Sequence, residues 1–225
     1  MKLFTFKLKN LSIFLKSKFL KKKSKKSNNV KNNFINYIKK KNFSEEWFLN
    51  NFNIFHYFLP SDLSKEFSYL EIGSFEGLSA LNILYHYKNA KVTTVDLWSD
   101  SNINSEPLKV DFKETEEKFD KNLKDYSFTK IKKDSVIALR ELLRKKLLFD
   151  VIYIDGSHNG EDILSDAIES YKLLSIDGLI IFDDISNYNK NIIIQAYEGF
   201  QKFCEIYKNK IKIEYLGNIA IVKKI

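Results

Sequence analysis

From residue 67 onward, short runs of the length of buried strands alternate with longer amphipathic stretches. Runs at 69–72, 91–95, 128–132, 149–154 and 179–182 read as strands. Helical periodicity at 77–87, near 111–124, 135–146, about 161–174 and about 190–208 supplies the crossovers between them. Two last runs, 210–215 and 219–223, flank Gly217; so short a connection forces an antiparallel pair. The expected fold is α/β: a Rossmann-like, seven-stranded, mostly parallel sheet with an antiparallel terminal strand and helices on both faces.

Two segments precede this alternation. Residues 33–66 form a helical cap rich in aromatics, among them Phe34, Tyr37, Phe43, Trp47, Phe48, Phe52, Phe55, Tyr57 and Phe58. Ser44 is the expected N-cap of a helix with Glu45 and Glu46 in its first turn, and Pro60 ends the element. These aromatics are expected to be core. In residues 1–32, Phe4, Leu8, Leu11, Leu15 and Phe19 fall on one helical face, with Phe6 and Ile13 pointing away. Lysine and asparagine enrichment in 21–33 predicts a flexible linker.

Charge sharpens that division. Residues 1–44 carry 14 lysines and no acid, so the whole chain's 37 basic and 29 acidic residues leave 23 against 29 in the rest. The net charge of +8 belongs to the N-terminal segment, and nucleic acid is not an expected partner of the acidic body. Lysines interrupt every apolar run before membrane-spanning length, and no signal-peptide pattern appears. Three readings of residues 1–26 stand: an interfacial helix on an anionic membrane, a helix docked on the body or another protein, or a disordered basic tail. At 225 residues the remainder is one domain, 67–225. Its single cysteine, Cys204, reads as packing and suits a reducing, cytoplasmic setting, with peripheral attachment at the inner membrane face under the first reading.

The chemistry concentrates in Tyr69-Leu-Glu-Ile-Gly-Ser-Phe-Glu-Gly-Leu-Ser79, a strand entering a glycine turn that opens onto a helix. Gly73, Ser74, Phe75 and Gly77 form a turn in which backbone N–H groups face a ligand, and Asp96 ends the next strand, where a carboxylate suits a ribose. The spacing is G-x-x-x-G-x-S rather than the dinucleotide G-x-G-x-x-G. Glu71 and Glu76 would repel a pyrophosphate but tolerate the cationic amino-acid end of S-adenosylmethionine, whose carboxylate could use Ser79.

Acids recur at or near the strand ends: Glu71, Asp96, Asp134, Asp155 and the pair Asp183-Asp184. Ligands gather at those ends in a parallel sheet. Asp155, Asp183 and Asp184 would repel one another unless protonated or bound to a cation such as Mg²⁺ or Mn²⁺; alternatively they bond to backbone or cofactor. His158, three residues past Asp155, is a candidate general base, since a histidine ordinarily titrates near 6.5. His56 and His86 lack acidic company and receive no chemistry.

Together these residues resemble the class I S-adenosylmethionine-dependent methyltransferases, in particular methyltransferase family 24, from about residue 43 to 185. The carrying motifs are Phe43-Ser-Glu-Glu-Trp47, Leu70-Glu-Ile-Gly-Ser-Phe-Glu-Gly77, Val95-Asp96, Tyr153-Ile-Asp-Gly-Ser-His158 and Gly178-Leu-Ile-Ile-Phe-Asp-Asp184. The turn is also similar to that of catechol and caffeoyl-CoA O-methyltransferases. The resemblance implies that Glu71 and the 73–77 loop hold the methionine end, with Ser79 at its carboxylate. It implies that Asp96, Leu97 and Trp98 hold the ribose, that Asp134 and Ser135 reach the adenine, and that Asp155 completes the cofactor site. In those O-methyltransferases an Asp and an Asp-Asn pair bind Mg²⁺ and a lysine follows the first ligand; here Asp184 replaces the Asn and His158 the lysine.

The expected activity is thus O-methylation of a small-molecule or glycan hydroxyl, with Asp155 and His158 catalytic and a divalent metal assisting. An RNA methyltransferase with a lysine-rich arm is the alternative, weakened by the acidic body and the absence of an Asn-Pro-Pro-Tyr-type motif after strand four. A nicotinamide-dependent oxidoreductase lacks its glycine fingerprint, and a non-enzymatic membrane adaptor leaves the strand-end acids without purpose.

Overall fold

The computed structural model describes residues 10–24, 28–99, 111–186 and 194–225. Seven strands form one sheet: β1 (Phe67–Ile72), β2 (Ala90–Asp96), β3 (Thr129–Lys132), β4 (Phe149–Ile154), β5 (Leu174–Phe182), β6 (Ile211–Leu216) and β7 (Ala220–Lys224), in the spatial order β3-β2-β1-β4-β5-β7-β6. β1 to β5 pair parallel, and β7 runs antiparallel to both its neighbours. β5 begins five residues before the expected run, because Leu174 already pairs with Phe149 across a register shift.

The crossover helices are α4 (Leu78–His86), α5 (Phe112–Leu123), α6 (Ser135–Arg144), α7 (Gly160–Leu173) and α8 (Ala196–Ile206), preceded by α1 (Leu11–Ser24), α2 (Asn28–Ile38) and α3 (Phe52–Phe58). The last expected helix thus starts later than anticipated; its first expected residues, 190–193, lie outside the described residues. Period-two alternation splits the core in two. Tyr69, Val151, Tyr153 and Ile181 face the cap and α4, whereas Leu70, Ile72, Ile152, Ile154, Ile180 and Phe182 face α6, α7 and α8.

The cap closes the first face. Phe34, Phe48, Phe52 and Phe55 are buried, as expected, while Trp47 and Tyr57 stay exposed. Ser44 is not a helix cap. A 3-10 turn begins only at Trp47, and the Ser44 N–H donates to Glu76 Oε2 at 2.6 Å. The expected linker is also revised, since α1 runs to Ser24 and α2 starts at Asn28.

α1 docks on the body, but not by the expected stripe. Ile13, Ser17, Leu20 and Ser24, spaced four, three and four apart, turn inward, and Ser17 Oγ accepts the Leu216 N–H at 2.8 Å. Leu11, Leu15 and Phe19 face solvent. Phe4 and Leu8 lie outside the described residues.

Candidate active site

Alternation in three neighbouring strands assembles the site. Tyr69 and Glu71, Tyr153 and Asp155, and Ile181 and Asp183 are each two apart, so the acids share the cap-facing side with the apolar and aromatic residues that precede them. The Tyr69 hydroxyl donates to Glu71 Oε2 at 2.8 Å. The Tyr153 hydroxyl lies 3.1 Å from Asp155 Oδ2 and bonds Asp183 Oδ2 closely. From the cap, Asn51 Nδ2 donates to Asp183 Oδ1 at 2.9 Å. Sequence reasoning missed Tyr69, Tyr153 and Asn51. The spacings Tyr-x-Glu and Tyr-x-Asp could have revealed the tyrosines; nothing in the sequence separates Asn51 from its neighbours Asn50 and Asn53.

Burial dominates the electrostatics. It pushes the Glu71 carboxyl up to about 7, against the bond from Tyr69. It raises Asp155 well above the carboxylate range, with the Asp183 charge adding to it, and raises Asp183 as well. Glu71 Oε1 and Ser74 Oγ are buried and have no hydrogen-bond partner. Such orphaned atoms cost free energy unless a ligand meets them.

The glycine turn has φ +81° at Gly73 and +86° at Gly77. A Cβ at Gly73 would collide with the backbone of Asp155 and Gly156, and one at Gly77 with the Phe119 and Leu123 side chains. The bare positions therefore admit the end of β4 and α5, where the sequence suggested ligand approach. Glu76 is likewise committed elsewhere: it takes the Ser44 N–H and lies 3.3 Å from Lys118 Nζ, fastening cap to turn. Only Glu71 of the two turn acids remains on the site side. Ser79 is buried at the start of α4, where its hydroxyl and that of Ser74 favour the ionised form of Glu71. Gly77 gives α4 no side-chain cap, leaving its N-terminal N–H groups to a polar ligand.

Asp96 Oδ2 accepts the Phe75 N–H and Oδ1 the Trp98 N–H, each at 2.8 Å. The Trp98 indole N–H donates to the Phe75 carbonyl at 2.8 Å, and Leu97 lies half-buried between them. Trp47 stacks on Phe75 with ring centroids 5.7 Å apart. Asp134 caps α6 by accepting the Ile137 N–H, and Ser135 donates to Asp166 Oδ1 at 2.6 Å. Both expected adenine-side side chains are thus engaged within the protein. Asp166, overlooked in the sequence, is itself pushed up to about 7 by burial.

At the mouth, His158 Nε2 lies 3.6 Å from Asp184 Oδ2, and Asn218 Nδ2 donates to Asp184 Oδ1 at 3.0 Å. The expected metal set does not form a cage. Asp183 spends both oxygens on Tyr153, Asn51 and the Asp184 N–H, while Asp184 turns towards Asn218 and His158. Among the described residues no group of three or more His, Cys, Asp or Glu side chains is placed to hold an ion. The donor set therefore does not fit a divalent metal. It does fit the amino-acid end of S-adenosylmethionine: Glu71 Oε1 and Ser74 Oγ are unpartnered beside an uncapped helix start.

Strand order, reversed β7 and strand-end acids define the fold of S-adenosylmethionine-dependent methyltransferases. The chain belongs to methyltransferase family 24, whose methyltransferase-domain model matches residues 70–185, just over half of it. The MycE methyltransferase of the mycinamycin biosynthetic pathway, solved with Mg, S-adenosylhomocysteine and mycinamycin VI, is similar with a TM-score of 0.58 at 14% identity, covering 87% of this chain and 53% of that one. The chain thus spans about half the length of MycE. A provisionally assigned O-methyltransferase from Klebsiella pneumoniae gives a TM-score of 0.52 at 16% identity over 70% of this chain and 72% of its own. An uncharacterised protein, R132, of Acanthamoeba polyphaga mimivirus is 24% identical over 163 residues, 68% of this chain and 69% of that protein.

Proposed function

We propose that the protein is an S-adenosylmethionine-dependent O-methyltransferase acting on a small-molecule or glycan-type hydroxyl, without a metal. The observation that carries the cofactor reading is buried Glu71, whose unpartnered Oε1 stands below the uncapped N-terminus of α4. Glu71 would pair with the cofactor's ammonium, the α4 N–H groups and Ser74 would receive its carboxylate, and Asp96 would hold the ribose. Bound there, S-adenosylmethionine supplies an electrophilic methyl group.

The chain's own residues must align a hydroxyl and take its proton. His158 at the mouth is the base in this reading, with the Asp184 carboxylate orienting its ring. Asp155, whose carboxyl is raised well above the usual carboxylate range by burial beside Asp183, would position the acceptor through a hydrogen bond. Trp47 and Phe75 supply an aromatic wall against which a flat or sugar ring could lie. The MycE structure, solved with mycinamycin VI, adds the shared fold and no more.

Calorimetry with S-adenosylmethionine and with NAD tests the cofactor. Transfer of labelled methyl to panels of phenolic and sugar hydroxyls in excess EDTA tests the reaction. Binding of the first cofactor only, turnover in EDTA, and a loss of roughly a hundredfold in turnover for His158→Ala with unchanged cofactor affinity are expected. Activity that requires added Mg²⁺ would overturn the metal-free reading.

A further inference from the structure

The most conspicuous feature outside the site is the two-faced character of α1. One face is used up by the body. Ser17 Oγ donates to the Ile13 carbonyl at 2.8 Å and accepts the Leu216 N–H, Leu20 enters the core beside the cap, and Lys16 lies 3.6 Å from Glu214. The opposite face is apolar and uncovered: Leu11 is 47%, Leu15 55% and Phe19 68% exposed. Steps of four residues keep these three on one face, and Lys22, three residues past Phe19, falls on the same face. Lys18 and Lys21 border it on one side and Lys23 on the other; Lys18, Lys21, Lys22 and Lys23 make no ion pair among the described residues.

An apolar stripe of this kind needs a cover, and the charge around it selects one. A second copy would bring two sets of lysines together in a low-dielectric contact, at a cost. An anionic bilayer meets both requirements, taking leucine and phenylalanine side chains into the acyl boundary while lysines reach the headgroups. No carboxylate anywhere in residues 1–44 opposes it. We propose that α1, held rigidly on β6, is a docking face for an anionic lipid surface. No described helix is long and apolar enough to cross a membrane, so the contact lies in the interface plane.

The helix also carries core residues, so deletion of residues 1–30 would not separate docking from folding. Surface substitutions do. The full chain, Leu15→Ser/Phe19→Ser and Lys18→Gln/Lys22→Gln/Lys23→Gln are sedimented with vesicles of phosphatidylcholine alone or mixed with phosphatidylserine, in low and high salt. The full chain should sediment with the mixed vesicles only, less in high salt, and each variant should bind at least about tenfold more weakly with unchanged melting temperature. Equal sedimentation of all three proteins overturns the proposal. So does a concentration-dependent dimer that Leu15→Ser/Phe19→Ser abolishes, or RNA binding that the charge variant loses while the apolar variant keeps it.

Discussion

Phe75 donates its backbone N–H to Asp96 Oδ2 at 2.8 Å, so the glycine turn is fastened to the end of the neighbouring strand. The same carboxylate holds Trp98, and both Phe75 and Trp98 have left-handed backbones, with φ 48° and 41°. A carboxylate that holds two residues in strained backbone conformations has a structural role of its own.

Asp96→Ala should therefore have two effects. Loss of charge-assisted bonds worth about 1.5–3 kcal/mol each should weaken S-adenosylmethionine binding by at least tenfold. The melting temperature of the ligand-free protein should also fall. Calorimetry and thermal melting read the two separately, and undiminished affinity in this variant would remove the ribose assignment.

Glu71 gives a pH signature. Its folded value of about 7 exceeds the ordinary 4.5, so between those values the folded chain holds more protons than the unfolded one. Stability from this group is present below 4.5 and lost as pH rises through 7, by about 3 kcal/mol at most. Asp166 acts in the same direction from 3.8 to about 7. Glu71→Gln should gain melting temperature on the wild type at high pH. Cofactor affinity should run the other way, rising through pH 7 only in the wild type as the carboxylate ionises. An identical pH dependence in both proteins would take Glu71 out of the ammonium site.

Under the cap, His56 opposes this trend. Burial lowers it from 6.5 to about 4 while its Nε2 shares a hydrogen bond with Asn82 Oδ1 at 2.9 Å. The folded chain then holds fewer protons between 4 and 6.5, and stability falls as pH drops through that window, by about 3 kcal/mol. His56→Gln should melt below the wild type at neutral pH, with the gap narrowing on acidification. A gap that stays constant from pH 7 to 4 would refute a buried neutral imidazole.

Gly73→Ala should cost stability whether or not cofactor is present. With φ at +81° and the Asp155 backbone in the way, a methyl group there should cost about 3 kcal/mol, or roughly 10 °C in melting temperature. A larger side chain at this position is consequently a poor probe of cofactor binding. Wild-type melting of Gly73→Ala would show that the approach of β4 is looser than described.

The strands and their acids were legible because buried parallel strands need unbroken apolar runs, which leave an acid such as Asp155 conspicuous at the end. Partner choice was not legible. Nothing local distinguishes Glu71, which turns into the site, from Glu76, which turns to Ser44 and Lys118. Which face of α1 packs on the body was not legible for a related reason: the helix has two apolar stripes. The one bearing Ile13 and Leu20 is selected by β6, nearly the whole sequence away, with buried Ser17 matched to a backbone donor.

That match joins Ser17 to a position 199 residues away, Leu216 on β6, an outer strand of the sheet. An open outer strand is a template for adding further extended chains, the first step of fibrous aggregation. By occupying the Leu216 N–H, α1 withdraws that rung from any stray strand. The guard is made early in synthesis and the strand it protects late, so the helix is already available when residue 216 emerges.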